Sequence, residues 1–199
     1  MRYGGVLARF LAYVLDGLLV AIPASIVGAL LGPSLDARTS VVIQAVVLIG
    51  LSAIYFIGFW TSASKATLGM RLFNLQVGNA ADGAELTLSQ AVVRWVALGL
   101  PFQALSLLPP PVNVLGGLTA LWALVLLVST IASPSKQGVH DRLARSAMVQ
   151  PVGREGPVIP CLILFLLVFV ILPIVAIVMI GALIGIGGQV STVIGSPQP

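Results

Sequence analysis

Charged side chains are scarce in this sequence of 199 residues, since Asp, Glu, Lys and Arg together make up only 8% of it. A soluble domain has about 25% charged residues, because its surface must be hydrated. Hydrophobic residues make up 58% of the chain. So little charge cannot cover a soluble globule, and the composition therefore indicates a protein that folds in a lipid bilayer.

Cysteine and histidine are almost absent, with one residue of each type, Cys161 and His140. A single cysteine excludes an internal disulfide and a cysteine-based metal site. A single histidine beside Asp141 is too little for a metal-dependent phosphohydrolase, which needs several His and Asp ligands. Ser133 and Lys136 have Ser-x-x-Lys spacing but lack the other motifs of the enzymes that use it. We therefore expect no catalytic residues, no metal and no cofactor.

Long apolar runs divide the chain, and a helix needs about 20 apolar residues to cross the hydrocarbon core. Four runs lie in a membrane domain of residues 1–150, an additional transmembrane helix lies in residues 151–190, and the polar tail 191–199 is expected to be disordered. The sequence thus predicts an all-α membrane protein with about five transmembrane helices. The predicted spans lie near residues 10–31, 41–60, 91–108, 112–131 and 158–186.

Pro109, Pro110 and Pro111 separate the third and fourth runs. Because proline lacks an N–H donor and constrains the residue before it, three in succession end a helix. We predict that residues 91–131 form a tight helical hairpin. The alternative is one re-entrant or interfacial segment followed by one span.

Basic residues are distributed unevenly among the predicted loops. With five spans, nine of the ten lie on one side of the membrane, and only Arg38 lies on the other. Because Lys and Arg are enriched in cytoplasmic loops, we expect a multi-pass protein of the bacterial cytoplasmic (inner) membrane, with its N-terminus in the cytoplasm and its C-terminus outside. The basic residues are topology signals in this reading, so no nucleic acid is expected as a partner. The nine are Arg2, Arg9, Lys65, Arg71, Arg94, Lys136, Arg142, Arg145 and Arg154.

The predicted cytoplasmic loops also contain short strand signals. Apolar and polar residues alternate over residues 73–77, which is the period of a strand, and residues 147–149 are a second short candidate. Residues 82–83, Asp-Gly, predict a turn. Thr87 and Gln90 have the spacing of a capping box just before the third apolar run. The sequence therefore predicts a small cytoplasmic β element.

Charges inside or beside the apolar runs are the candidate site. Asp16 lies about 10 Å inside the first run, and Arg9 leaves the same helix face. A charge at mid-membrane costs roughly 2.5–3.5 kcal/mol, so Asp16 must be neutral, hydrated or paired. We predict pairing with Arg94 first, and with Arg9 or Arg142 next. Together with Asp141 these residues form a candidate ion or charge cluster, although an ion pair that only fixes helix register is the alternative.

Three segments of the chain resemble the RDD family of small membrane proteins, which is named for Arg-Asp-Asp. They are residues 5–16 (GVLARFLAYVLD), 67–72 (TLGMRL) and 139–144 (VHDRLA), and the resemblance covers residues 3–150. It implies that Arg9, Asp16 and Asp141 are the name-giving residues. The further motif residues are Thr67, Gly69, Arg71 and His140.

The chain departs from the family pattern in three places. Met70 stands where the family usually has a lysine, residues 145–147 replace the usual glycine–threonine stretch, and the fifth run lies outside the family core. That run contains Gly181 and Gly185, whose GxxxG spacing favours close helix packing.

The resemblance implies transport, including sodium–proton exchange, or partnership with a larger membrane system. Two functions are therefore predicted. One is transport of ions or small solutes through the charge cluster, with Asp16 as the cation or proton site. The other is a non-catalytic accessory or assembly subunit of a larger membrane complex. In either case the expected partners are the lipid bilayer and either further copies of the chain or a larger complex.

Overall fold

Two long apolar helices form the first part of the fold, α1 (Val6–Leu31) and α2 (Ala37–Trp60). In the computed structural model, which describes residues 2–31, 35–104, 113–153, 156–174 and 179, both are long and apolar enough to cross a membrane. α2 begins after Asp36, whose carboxylate accepts hydrogen bonds from two backbone N–H groups of the first turn at 3.0 and 3.1 Å. The two helices pack against each other.

The third predicted span is interrupted in the structure. It consists of α4 (Leu88–Leu98) and the short α5 (Leu100–Ala104), which meet at Gly99. The sequence did not predict this break, which follows the last hydrogen bond of α4, from the N–H of Gly99 to the carbonyl of Trp95 at 2.9 Å. The capping box of Thr87 and Gln90 at the start of α4 is confirmed.

The fourth predicted span corresponds to α6 (Asn113–Ala132). Trp122 of this helix donates its indole N–H to the carbonyl oxygen of Ala97 in α4 at 3.0 Å, so the two helices are in contact. Residues 109–111, the predicted turn of the hairpin, lie outside the described residues. The choice between a full hairpin and a re-entrant segment therefore stays a prediction.

The chain divides into two units, Met1–Gly156 and Pro157–Pro199. The second unit contains α8 (Val158–Leu166), which continues as a π-helical turn (Leu167–Ile171). Beyond residue 174, all of the predicted fifth span except residue 179, including Gly181 and Gly185, and the tail 191–199 lie outside the described residues. α1 and α2 meet the length needed for a span, whereas the other apolar stretches that can be assessed among the described residues, Leu88–Leu98, Gly117–Ala132 and Val158–Ile174, are shorter. The count of five spans stays a prediction.

A three-stranded antiparallel sheet confirms the predicted β element. Its strands are β1 (Arg2–Tyr3), β2 (Gln76–Asn79) and β3 (Ser146–Gln150), in the order β1-β3-β2. In its register Tyr3 lies opposite Val149, and Val77 opposite Met148. The sheet brings the N-terminus, the segment after α2 and the segment after α6 to one end of the helices.

The predicted strand over residues 73–77 begins later than expected. A short helix, α3 (Leu68–Leu72), precedes it, and Asn74 has a φ of 53°. This left-handed conformation is incompatible with a strand but is tolerated by asparagine. Phe73 and Leu75 are buried around that bend rather than on the face of a strand. β1 was missed because two residues are too few to show a strand period.

Candidate functional site

Asp141 lies in a short helix, α7 (Val139–Leu143), and is fully buried. One carboxylate oxygen forms a close ion pair with Arg94, and the other accepts a hydrogen bond from Arg9 at 3.2 Å. The hydroxyl of Ser146 donates to the first oxygen at 3.3 Å, and the N–H of Gly138 donates to the second at 3.3 Å. Asp141 is therefore an anion held by two guanidinium groups and two neutral donors. We call the side chains of Arg9, Arg94, His140, Asp141 and Ser146 the Asp141 cluster.

Arg9 connects the start of α1 to the polar end of the fold. Its guanidinium donates to three backbone carbonyls, those of Gly4 at 3.1 Å, Lys136 at 2.5 Å and Met148 at 3.0 Å. With its bond to Asp141, the side chain therefore joins α1, the loop after α6, α7 and β3. Such a multidentate arrangement uses the planar fork of arginine and cannot be reproduced by lysine.

Arg94 is 1% exposed and connects α4 to three other elements. Besides Asp141, it donates to the hydroxyl of Ser146 at 2.5 Å. Its guanidinium carbon lies 5.0 Å from the ring centroid of Trp60 at the end of α2, which is a cation–π contact. Its Nε has no hydrogen-bond partner among the described residues. The charge of Arg94 thus depends on Asp141 for its compensation.

The pKa values of Asp141 and His140, both in α7, are shifted by this environment. Burial by itself would raise the pKa of Asp141, but the positive charge of Arg94, with further help from the other basic groups, holds that pKa below its usual range. Burial lowers the pKa of His140 to about 4, so the imidazole is neutral at neutral pH. Its Nε2 lies 3.5 Å from Asp141, and this contact is therefore not an ion pair under those conditions.

Asp16 belongs to a separate group of side chains. Its carboxylate accepts hydrogen bonds from the hydroxyl of Thr67 at 2.5 Å, the hydroxyl of Tyr55 at 2.6 Å and the backbone N–H of Gly69 at 2.7 Å. Asp16 is 1% exposed. Thr67 is also the N-cap of α3, so the carboxylate of one helix is bound by the first turn of another. We call Asp16, Tyr55, Thr67 and Gly69 the Asp16 cluster.

The close approach of α3 to α1 requires a glycine at position 69. A Cβ atom at this position would lie 2.9 Å from the carboxyl carbon of Asp16, which is closer than real Cβ atoms come. The side of α3 that receives α1 can therefore carry only glycine. Gly69 and Thr67 were predicted as motif residues without a role, and the structure shows that they hold Asp16.

The predicted ion pair between Asp16 and Arg94 is wrong. Arg94 pairs with Asp141, and the described partners of Asp16 are two hydroxyls and one backbone N–H. The reason is that α3 folds back onto α1 and supplies donors that satisfy the carboxylate without a positive charge. Arg142 is exposed and lies outside both clusters.

The remaining motif residue, Arg71, also lies outside both clusters. It is exposed on α3, donates from its Nε to the carbonyl of Ala66 at 3.3 Å, and places its guanidinium carbon 5.4 Å from the ring centroid of Phe59. The residues that the sequence did not single out are Tyr55, Trp60 and Ser146. A tyrosine in an otherwise apolar run was the one available signal, whereas nothing distinguished Trp60 or Ser146 before their neighbours were known.

Both carboxylates are bound in a way that suits an anion. A metal cation is bound by oxygen lone pairs, but every described partner of Asp16 and Asp141 directs a donor or a positive charge at the carboxylate. Within the part of the chain that the structure describes, there is also no group of three or more His, Cys, Asp or Glu side chains that could hold a metal ion. The arrangement can fix the positions of five helices, α1, α2, α3, α4 and α7, and a sheet. Of the roughly four lone-pair positions of a carboxylate, the described donors occupy all four at Asp141 and three at Asp16.

One comparison with known proteins identifies a family. The model of the RDD family matches residues 3–145 of this chain, which is well over half of its length. No curated protein and no solved structure matches it.

Proposed function

The chain belongs to the RDD family, and from this premise we propose that it is a non-catalytic accessory or assembly subunit of a larger membrane complex. The observation that carries the proposal is that both buried carboxylates, Asp16 and Asp141, are already bound by internal donors. A protein that carries a cation needs a carboxylate whose lone pairs are available. In this chain most of those lone pairs accept hydrogen bonds that stabilise the fold, and we therefore propose that the surface of the chain is the part that acts.

The proposed topology places this subunit in the bacterial cytoplasmic membrane as a multi-pass protein. Three of the segments rich in basic residues meet at the sheet β1-β3-β2, which supports one common side for them. Since Lys and Arg are enriched on the cytoplasmic side, we propose that the sheet and both clusters lie at the cytoplasmic ends of the spans. Five spans would then place the C-terminus outside.

The proposed role depends on a rigid cytoplasmic end. Arg9 and Arg94 join α1, α4, α7 and β3 through Asp141, while Asp16 joins α1 to α3 and α2. A partner subunit would recognise a surface whose shape these buried contacts maintain. Apolar faces of the spans would complete the contact inside the bilayer, where close packing and interhelical hydrogen bonds drive association.

Purification in a mild detergent, followed by native mass spectrometry, tests this role. We expect the chain to be recovered in a particle with a second subunit at fixed stoichiometry. Asp16→Asn should lower the abundance of the chain and of that particle together. An exposed Asp82→Asn, which keeps its turn, is the matched control and should leave both unchanged. Recovery of the native chain only as a single, well-folded species would contradict the accessory role.

Proton-coupled transport is the second candidate function, and one contact favours it. Tyr55 donates to Asp16 at 2.6 Å and at the same time lines a cavity of about 700 Å³ between α1 and α2. Asp16 is thus one hydrogen bond away from a space that a proton donor could enter. If Asp16 exchanges a proton for sodium, infrared difference spectra should show a carboxylic acid band that sodium removes. The band should be missing in Asp16→Asn, and its absence in the native chain would argue against transport at this residue.

A further inference from the structure

The cavity beside Tyr55 is a groove with a polar end and an apolar length. Its volume of about 700 Å³ lies within the range of sites that bind small organic molecules. Residues of α1 and α2 form the apolar length, among them Leu19, Pro23, Leu51 and Ile54. From Leu51 to Phe59 the groove follows α2 for about 12 Å at 1.5 Å per residue. This is long enough to hold a substantial part of an acyl chain.

Arg71 and two serines form the polar end of the groove. Ser62 and Ser64 lie just after α2, and their hydroxyls are hydrogen-bonded to each other at 2.8 Å. Arg71 is exposed, and only its Nε has a hydrogen-bond acceptor, the carbonyl of Ala66. No carboxylate among the described residues is paired with Arg71. Among the described residues, its terminal guanidinium nitrogens have no acceptor, which leaves them open to an anion from outside this part of the chain.

This combination of one exposed positive charge and an apolar channel fits an amphiphile with a negative head. Arginine binds phosphate oxygens through two parallel N–H donors. An acyl chain gains by packing along apolar side chains in place of other lipid tails, since contacts within a well-shaped groove are denser than those in a fluid bilayer. The guanidinium carbon of Arg71 lies 5.4 Å from the ring centroid of Phe59, and this contact positions the guanidinium at the polar end of the groove. A soluble anion would use the arginine but not the groove.

We propose that this groove binds one phospholipid with an anionic headgroup, its phosphate at Arg71 and one acyl chain between α1 and α2. The site is independent of the Asp141 cluster and does not rest on the accessory role, whereas proton-coupled transport through Asp16 would need the same groove to be open. Bound lipid would fill the space next to Tyr55 and thereby separate Asp16 from the bilayer.

The lipid retained after partial delipidation of the purified full-length chain measures this binding. Nanodiscs that contain phosphatidylglycerol and phosphatidylcholine supply both lipids, and native mass spectrometry counts those that remain. We expect one phosphatidylglycerol per chain in preference to phosphatidylcholine. Arg71→Gln should weaken this preference about fivefold, since one basic residue near the surface contributes about 1 kcal/mol to anionic lipid binding. Arg71→Lys should retain part of it, and the exposed Arg145→Gln should leave it unchanged.

The apolar part of the site is tested by a matched pair of glycine substitutions in α2. Gly58 lines the groove, and a Cβ atom there meets nothing within 4 Å. Gly50 is equally open but does not line the groove. Gly58→Leu should therefore fill the groove and abolish retention of the lipid, while Gly50→Leu should not.

Three results would overturn the proposal. The first is equal retention of phosphatidylglycerol by the native chain, Arg71→Gln and Gly58→Leu. The second is competition by glycerol phosphate as effective as that by a phospholipid, since this would show a headgroup site without a chain site. The third is a cross-linked dimer of the native chain, lost in Gly58→Leu and without retained lipid, since a second copy would then occupy the groove.

Discussion

Replacing Asp141 by asparagine is expected to destabilise the fold more than any other single loss of a carboxylate. The substitution keeps the shape and one acceptor oxygen but removes the negative charge. Arg94, which is 1% exposed, and Arg9, whose side chain is 9% exposed, would then be left as a buried and a partly buried positive charge without this counter-ion. Removing one partner of a buried ion pair costs about 3–5 kcal/mol. We expect a loss at the upper end of this range, since two cations depend on the same carboxylate.

A double-mutant cycle with Arg94→Gln separates the contribution of the ion pair to the free energy of unfolding from the effects of packing. If the two side chains stabilise each other, Asp141→Asn should cost much less in the Arg94→Gln background than in the native chain, and the difference is the coupling energy. Unfolding in micelles of mixed mild and denaturing detergent, followed by tryptophan fluorescence to which Trp60, Trp95 and Trp122 contribute, provides the free energies. Because Trp60 lies against Arg94, it reports directly on this part of the fold.

Asp82→Asn is the control for this cycle, because Asp82 is an exposed turn residue whose side chain accepts one local hydrogen bond at 2.9 Å. Exposed substitutions of this kind change stability by about 0.5 kcal/mol or less. The reasoning would be refuted if Asp141→Asn cost no more than Asp82→Asn. It would also be refuted if the effects of Asp141→Asn and Arg94→Gln were additive.

Three further predictions follow from the two clusters. Thr67→Val should cost about 1.5–3 kcal/mol of unfolding free energy, because it removes a hydrogen bond to the buried Asp16, and the same unfolding assay measures it; an unchanged value would contradict the contact. Gly69→Ala should reduce the folded fraction seen by size-exclusion chromatography, whereas Gly50→Ala, at an open helix position, should be neutral or stabilise by up to about 1 kcal/mol; equal behaviour of the two would refute the close packing. Burial lowers the folded-state pKa of His140 to about 4, below its ordinary value of 6.5. Stability should therefore be complete above pH 6.5 and decrease as the pH falls towards 4, by up to about 3 kcal/mol. Since this is the only histidine in the chain, His140→Gln should flatten the profile between pH 6.5 and 4.5, and an unchanged profile would count against burial of the imidazole.

The long helices of the fold could be predicted from the sequence, because a physical rule acts there on many residues at once. The scarcity of charge and the length of the apolar runs predicted α1 and α2 within a few residues. The capping box of Thr87 and the turn at Asp82 were predictable because both signals are local. The break at Gly99 was missed, since a single glycine inside an apolar run does not by itself end a helix.

The partners of the charged residues could be predicted only in part. Depth along a helix placed Arg9, Asp16 and Arg94 near the same end, and the structure agrees that all three are inside the fold. Depth does not reveal which short loop helix folds back onto which span. The two loop helices, α3 and α7, decided the pairing, since α3 supplies neutral donors to Asp16 and α7 supplies the carboxylate that compensates Arg94.

Sodium-driven proton movement in liposomes is the measurement that tests most directly whether the buried carboxylates are structural. The purified native chain is reconstituted with a pH dye inside the vesicles, and a sodium gradient is imposed. We expect no movement of protons above that in empty vesicles, because internal donors already occupy the four lone-pair positions of Asp141 and three of the four of Asp16. A sodium-dependent pH change that Asp16→Asn abolishes, while Asp82→Asn leaves it intact, would contradict the account and establish Asp16 as a transport site.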